Sequence, residues 1–447
     1  MRADELWFLL RAHRDLRRNA RLTRQELEAR KLSRFRRLVR FANEASPYYA
    51  SIIRDHGIRL DSCVPEDFPV LTKSDLVENY DRIVTDRRIT RDRLEQFLRS
   101  SRDSNELYLG EYVVTETSGS TGEKAFVVYH RRDWARAMAQ TSRSPNISNE
   151  PGGLRRQRVA YCGAIVPHFG GITICEWWKH SIARFFLDYQ FFELNRPIEV
   201  NVAELNAFRP DYLTGLTTSL KILGEQRLAG ALRIDPTRIT VGGEMVTEAD
   251  RSFLRHAFGC GVVSAYATSE HLSMGVTGAD DTSMVLYDDD IIYEFKTDHI
   301  LTTNLINRTL PLIRYRMSDV IEPSADQPED MPYLRINSLI GRSEMWLRLL
   351  NERGVEDVLA PMTLSRPTTR GLLGSQIQVL SNTAFQLRAR FDSSMTRTER
   401  EDALADLRPQ VASILSQKGM TNVAFEIVAV DDLPVDPATG KFKLVVR

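Results

Sequence analysis

Thr115-Glu116-Thr117-Ser118-Gly119-Ser120-Thr121-Gly122-Glu123-Lys124 stands between two apolar, strand-like runs, Tyr112–Val114 and Ala125–Tyr129. Gly119 and Gly122 permit tight backbone geometry, while the hydroxyls of Thr117, Ser118, Ser120 and Thr121 can donate to anionic oxygens. Lys124 adds a mobile cation at the end of the loop. The spacing is not that of a Walker loop, which needs Gly-x-x-x-x-Gly-Lys-Ser/Thr followed by a helix. Two readings fit these residues: a cradle for phosphate, or a polar hairpin turn, since Ser, Thr and Gly are ordinary turn residues.

Outward from this loop, residues 112–278 alternate in pattern. Short β-branched segments (Phe126–Tyr129, Val159–Cys162, Arg238–Val241, Val262–Ser264) alternate with amphipathic ones (Ala203–Phe208, Thr218–Ala229, Glu248–Phe258). This predicts α/β layers around a largely parallel sheet. Between 284 and 340 the helical pattern stops. Ile291–Phe295, Ile300–Thr303, Leu312–Tyr315 and Tyr333–Ile336 predict an antiparallel sheet or barrel attached to the main domain. Beyond Gly341-Arg342, strands at Gln376–Leu380, Gln386–Phe391 and Ala424–Val430 with a helix over Arg397–Lys418 predict a small α+β domain with its own core. Residues 1–45 lack proline and glycine and read as helix. They carry thirteen Lys/Arg against six Asp/Glu, a surface for acidic lipid or nucleic acid or, the reading preferred here, a solvated helix face. Ser46-Pro47 breaks that helix, and Pro69–Leu76 reads as a turn into a helix capped near Thr72 or Ser74.

Bulk properties exclude several classes. The chain has 447 residues, with 60 Lys+Arg against 60 Asp+Glu, so no global field draws it to nucleic acid or a membrane. Cys63, Cys162, Cys175 and Cys260 lie far apart, at no metal-ligand spacing, which predicts neither a disulfide framework nor a zinc site. The Leu6–Leu10 run is too short for a secretory apolar region, and no stretch is long enough for a membrane span. The expected location is the cytoplasm.

Further motifs follow the loop in order. Thr117-Ser118-Gly119-Ser120-Thr121-Gly122-Glu123-Lys124 resembles the nucleotide loop of the adenylate-forming (acyl-CoA synthetase) superfamily. Ser46-Pro47-Tyr48-Tyr49 and Pro69–Leu76 resemble the opening segment of its phenylacetate–CoA ligase branch. Gly242-Gly243-Glu244, Tyr266-Ala267-Thr268-Ser269-Glu270, the Pro311–Asp319 segment with Arg314-Tyr315 and Asp319, Gly341-Arg342-Ser343-Glu344, and Leu433-Pro434 through Thr439-Gly440-Lys441 resemble the later landmarks. Six elements in the required order over about 330 residues make coincidence improbable.

The resemblance implies a large N-terminal adenylation domain over 1–340, with several subdomains, and a small mobile C-terminal lid over 341–447, pivoting at Glu344. It implies ATP, Mg²⁺ and CoA as reactants or cofactors and an organic acid as substrate, with a carrier protein, amine or hydroxyl as alternative acceptor, or a catalytically reduced nucleotide-binding protein as a rival. By analogy with related ligases, a homodimer is an expected assembly. Tyr266 and the Gly243-Glu244 segment would meet adenine. Ser269 would bond the α-phosphate, Glu270 would hold Mg²⁺, and Asp319 with Arg342 would meet the ribose. Lys441 would stabilise the α-phosphate as charge develops on it. His168, Phe169 and Gly170 resemble the acyl-pocket segment, where His168 would stack on or bond the substrate carboxylate or serve only its loop. Four departures stand out. Ala267 and Ser318 replace glycines, Glu344 replaces an aspartate, and Pro323–Pro332 lacks the cysteine pairs of some branch members.

Overall fold

Where β-branched and aromatic residues run together, as at Val113-Val114 and Val127-Val128, strands form and are buried on both sides. A computed structural model describes the chain apart from residues 1–2, 117–124, 144–155, 164, 166, 194–195, 197, 245, 280, 282, 326, 328–330, 343–346, 355, 360–363, 365–368, 370, 435–442 and 447. The chain forms two compact units. One comprises Met1–Met317 and Ile321–Leu339, the other Ser318–Val320 and Ile340–Arg447.

The first unit is built on a nine-stranded sheet. Its order is Asp319–Pro323, Arg335–Arg342, Met284–Leu286, Leu272–Thr277, Gly261–Thr268, Arg238–Gly242, Tyr212–Gly215, Gln157–Gly163, Leu187–Glu193. The five strands from Leu187–Glu193 to Gly261–Thr268 run parallel. Helices Ile198–Phe208, Thr217–Leu228 and Glu248–Phe258 connect them and bury Leu205, Leu220 and Leu254 against Ile239 and Val262. The last helix is started by a Thr247/Asp250 capping box and stopped by Gly259, whose φ of +69° suits a residue without Cβ. Thr72 and Asp75 form another capping box, which starts the helix Lys73–Glu78.

Three expectations are corrected. The strands between 284 and 340 do not form one separate barrel. Ile291–Phe295, Ile300–Asn304 and Tyr315–Met317 make a three-stranded antiparallel sheet, but Met284–Leu286 and Arg335–Arg342 join the main sheet. The turn at Leu272 (φ +61°) reverses the chain after Thr268, so the following strands add antiparallel to the parallel core. Residues 1–45 are not one helix either. Helix Ala3–Asn19 ends, and Thr23 starts helix Arg24–Ala45 through a capping box with Glu26, a Thr-x-x-Glu signal present in the sequence.

Nor is the basic face of these helices merely solvated. Asp288, Asp289 and Asp290 are consecutive and buried, and the helices supply their counter-charge. Arg24 and Arg34 pair with Asp288 and Asp290, and Lys31 Nζ lies 3.2 Å from Asp288 Oδ2. Arg136 reaches Asp290 at 2.7 Å, Arg143 reaches Asp289 at 2.8 Å, and the Asn19 amide donates to Asp289 at 2.8 Å. Carboxylates this deep persist only when paired and hydrogen-bonded.

In the second unit a four-stranded sheet, ordered Ala424–Val430, Ala384–Phe391, Leu372–Ser381, Val445–Val446, packs on helix Arg397–Gln417. Phe385, Leu387, Leu407, Val411 and Leu415 form its core. No described helix is long and apolar enough to cross a membrane.

Candidate functional site

Strands Tyr112–Glu116 and Phe126–His130 form an antiparallel hairpin with Glu116 opposite Phe126, so the glycine- and hydroxyl-rich segment is the connection between them. Thr117, Ser118, Gly119, Ser120, Thr121, Gly122 and Lys124 lie outside the described residues, but their root does not. The Glu116 N–H donates to the His168 carbonyl at 3.0 Å, and the Ser269 hydroxyl donates to the Glu116 carbonyl at 3.3 Å. Glu116 also bridges to Phe169 in parallel register. Gly170 begins the eleven-residue helix Gly170–His180, and a Cβ there would stand 3.6 Å from Ser269 Oγ. Three segments more than fifty residues apart in sequence thus meet at Ser269. The N-cap of that helix is Phe169, which supplies no side-chain acceptor, so the positive end of the helix lies beside the serine.

Ser269-Glu270-His271 is the turn between strands Gly261–Thr268 and Leu272–Thr277. Its geometry is held from behind. The Tyr129 hydroxyl donates to the Glu270 carbonyl at 2.8 Å, and the Asn304 amide donates to the same carbonyl at 3.3 Å and to His271 Nδ1 at 3.2 Å. His271 Nε2 is 2.7 Å from Thr302 Oγ1, and that hydroxyl in turn donates to the Tyr315 carbonyl at 3.3 Å. The hydroxyl proton is therefore committed, so the imidazole carries its proton on Nε2 and accepts at Nδ1. Burial pulls the His271 pKa down to about 3, so the ring is neutral and rigidly placed. In front of it, the Tyr315 hydroxyl donates to Glu270 Oε1 at 3.3 Å.

Tyr315 brings the 311–319 motif to the 266–270 motif, and the opening segments brace it. Leu71 bridges to Tyr315 in parallel register. The Tyr49 hydroxyl donates to the Pro311 carbonyl at 2.9 Å and accepts the Ile313 N–H at 3.2 Å. Both Tyr49 and Leu71 are buried.

The other expected residues fall in several places. Gly243 follows strand Arg238–Gly242 with φ +73°, and a Cβ would meet Leu216 at 3.0 Å. Glu244 Oε2 accepts the Thr218 N–H at 2.8 Å, which places its carboxylate at the start of helix Thr217–Leu228. Tyr266 is buried in the main core cluster, whereas the adjacent Ala267, at a bulge in the strand, is exposed. His168 is turned inward. Its Nδ1 faces the Val114 carbonyl at 3.1 Å and so carries the proton, its Nε2 accepts from the Ser101 hydroxyl at 2.8 Å, and its ring meets Phe97 edge-on. Burial lowers its pKa, which favours this neutral form. Of the two roles open to it in the sequence, the geometry supports the loop anchor; the Phe169-Gly170 backbone is what reaches Ser269.

Asp319 and Arg342 belong to the second unit and its borders. Asp319 is buried at the start of strand Asp319–Pro323, and Arg342 ends strand Arg335–Arg342. Glu344 and Lys441 lie outside the described residues. The described residues on either side of Lys441, Pro434 and Lys443, share one hydrogen-bond partner. The buried Gln376 amide donates to the Pro434 carbonyl at 3.0 Å and to the Lys443 carbonyl at 2.9 Å.

No family model matches the chain. Protein CapK of Staphylococcus aureus is 22% identical over 342 residues, 72% of this chain and 69% of its own length. The solved structure of a 2-hydroxyisobutyryl-CoA ligase in the postadenylation state, in complex with R3-HIB-AMP, matches with TM-score 0.72 at 16% identity over 96% of this chain and 91% of that one. The fold is that of the adenylate-forming ligases. The amide bond synthetase McbA of Marinactinospora thermotolerans matches less extensively, with TM-score 0.51 at 15% identity over 73% of this chain and 67% of its own.

Within this fold, the residues that sequence reasoning missed are those behind the motif. Tyr129, His271, Thr302 and Asn304 sit in strands and a turn whose burial is not readable from pattern alone. Only Tyr315, inside a recognised motif, carried a signal. Gln376 carried none, because a glutamine in a strand-like run reads as solvent-facing.

Proposed function

We propose that this chain is an AMP-forming acid–thiol ligase similar to the phenylacetate–CoA ligases. The observation that carries this reading is the junction at Ser269, where the Glu116 root of the loop, the Phe169-Gly170 helix start and the Glu270 turn converge. Turned from the Glu116 carbonyl, the Ser269 hydroxyl beside a positive helix end would suit an anionic oxygen. Glu270 suits Mg²⁺. One carboxylate oxygen accepts from Tyr315, the other is available to a hard cation, and no group of three or more potential ligands occurs among the described residues. Mg²⁺ is commonly held by one or two carboxylates together with substrate phosphates and water, which such a site can provide. When bound, the ion would neutralise charge on the phosphates.

In the proposed reaction, a carboxylate oxygen of the acid bonds to the α-phosphorus of ATP and the bond to pyrophosphate breaks. The resulting acyl adenylate then yields its acyl group to the sulfur of CoA, releasing AMP. The 1–340 domain binds ATP and the acid, with Tyr266 and Gly243-Glu244 toward adenine and Asp319 toward ribose, and Arg342 at the start of the lid segment would also meet the ribose. The 341–447 lid carries Lys441 and pivots at Glu344, and its closure shields the mixed anhydride from water. The enzyme works in the cytoplasm. A second reading, transfer to an amine, is supported by the likeness to an amide bond synthetase.

The test is pyrophosphate release from ATP and Mg²⁺ across aryl, arylacetic and short-chain or fatty acids, followed by thioester detection with CoA as the sole nucleophile. Pyrophosphate release that needs no acid, or no release with any of these acids, rejects the adenylation reading. Adenylation without a thioester favours the amine. Tyr315→Phe removes only the hydroxyl on Glu270, and a bond to a charged group contributes about 1.5–3 kcal/mol. Roughly tenfold slower pyrophosphate release is expected, with a raised Mg²⁺ requirement and unchanged KM for the acid. An unchanged Mg²⁺ titration would show that Tyr315 does not position Glu270.

A further inference from the structure

The basic charge of the first two helices is divided. Arg24, Lys31 and Arg34 are spent on Asp288 and Asp290, and Arg30 lies 3.7 Å from Asp15. Arg14, Arg17, Arg18 and Arg21 are all exposed, and among the described residues none of them pairs with a carboxylate. Their spacing of three and four residues places them on one face of helix Ala3–Asn19 and the turn after it. Toward the start of the helix the same face carries Trp7 and Leu10, which are 54% and 60% exposed, with the Arg11 guanidinium 5.2 Å from the Trp7 ring centroid. The opposite face is fully used: Leu9, Ala12 and Leu16 are buried, and the helix packs on Arg131–Thr141.

A groove of ≈ 590 Å³ runs along this face, lined by Leu10, His13, Leu22 and the four arginines. Its chemistry is guanidinium over aliphatic surface, with an exposed indole beside it. Free phosphate would use the arginines and leave Trp7 and Leu10 without a role. So would the backbone of a nucleic acid. A phospholipid surface uses both, since headgroup phosphates meet the arginines while an aromatic and an aliphatic side chain enter the acyl boundary.

We infer that the exposed face of helix Ala3–Asn19, from Trp7 to Arg21, docks the protein on an anionic bilayer surface. The remainder of the helix is held by the core, so docking would keep the fold intact. Each arginine near such a surface strengthens binding roughly fivefold, with a reach of about a Debye length.

The full-length protein is floated with phosphatidylcholine vesicles with and without phosphatidylglycerol. Binding is expected only with the anionic lipid, and it should weaken as salt rises. A variant with Arg14, Arg17, Arg18 and Arg21 all changed to Glu should bind at least a hundred-fold more weakly. Arg233→Glu with Arg353→Glu, an exposed pair elsewhere, should bind as the parent does. Trp7→Ala with Leu10→Ala should reduce vesicle binding at least fivefold while leaving binding to heparin, which has no bases to stack, unchanged. All these positions are exposed, and equal melting temperatures verify that the variants are folded. Absence of vesicle binding by the parent protein overturns the inference. So does binding that depends on the arginines but not on Trp7 and Leu10, which would assign the face to a soluble polyanion such as nucleic acid. Neither result bears on adenylation, which the pyrophosphate assay reads separately.

Discussion

Lys441→Ala is expected to lower acyl-adenylate formation by two or more orders of magnitude while ATP affinity changes little. Removing one positive contact to charge that develops in the transition state costs about 3 kcal/mol. A lysine that meets the phosphate chiefly as the lid closes contributes little to ground-state binding, so the loss falls on kcat rather than on KM for ATP. Single-turnover pyrophosphate release, with ATP binding measured separately, reads the two quantities. Pyrophosphate release at the parent rate would remove Lys441 from the reaction. Gln376→Leu is the companion variant. It leaves Lys441 in place but deletes the amide that donates to Pro434 and Lys443 on either side of it. A smaller loss, on the order of tenfold, is expected, because the lysine remains but its segment is less well held. Lys443→Ala, whose backbone carbonyl still accepts from Gln376, should leave the rate near that of the parent.

Asp290→Asn is expected to produce the largest loss of stability of any single substitution considered. Asp290 is 1% exposed and accepts from Arg136 and Arg34. Burial pushes its carboxyl up, but the two guanidiniums together outweigh burial and hold it below the usual carboxylate range. Asparagine keeps the shape and removes the charge, leaving two buried cations whose remaining acidic neighbours include Asp289 and, for Arg136, Asp15. Breaking a buried pair in this way costs about 3–5 kcal/mol. The melting temperature should fall on the order of 5–10 °C. The sign of the pH dependence follows from the lowered pKa. The Asp290 contribution is present above the ordinary carboxylate value, near pH 4, and is lost as pH falls below it toward the folded value. The parent protein should therefore lose more stability than the variant between about pH 5 and pH 3. Parallel melting curves across that range would show that Asp290 is not an ion-pair partner that stabilises the fold.

The parallel α/β core was legible in the sequence because its signals are local. Glu248–Phe258 lies between Thr247 and Gly259, and Ala424–Val430 and Ile291–Phe295 are observed over the residues their patterns mark. Side-chain period and capping residues act within a few positions, so one chain suffices to read them. The ordered motifs likewise pointed to an adenylate-forming fold, and the TM-score of 0.72 against a 2-hydroxyisobutyryl-CoA ligase agrees with it. What tertiary structure decided are the partnerships between distant residues. Arg24, Lys31 and Arg34 read as ordinary surface charge until Asp288–Asp290 is seen beneath them, more than 250 residues away. His168 reads equally well as a ligand to substrate or as a loop anchor. Its orientation depends on Ser101 and Val114, which the chain fold delivers from other segments. Tyr129, Asn304 and His271 gain their role only because the antiparallel turn at Leu272 brings the 300–304 strand behind Glu270. Burial and hydrogen-bond satisfaction depend on which chain segments meet, and a sequence pattern with a range of a few residues does not contain that information.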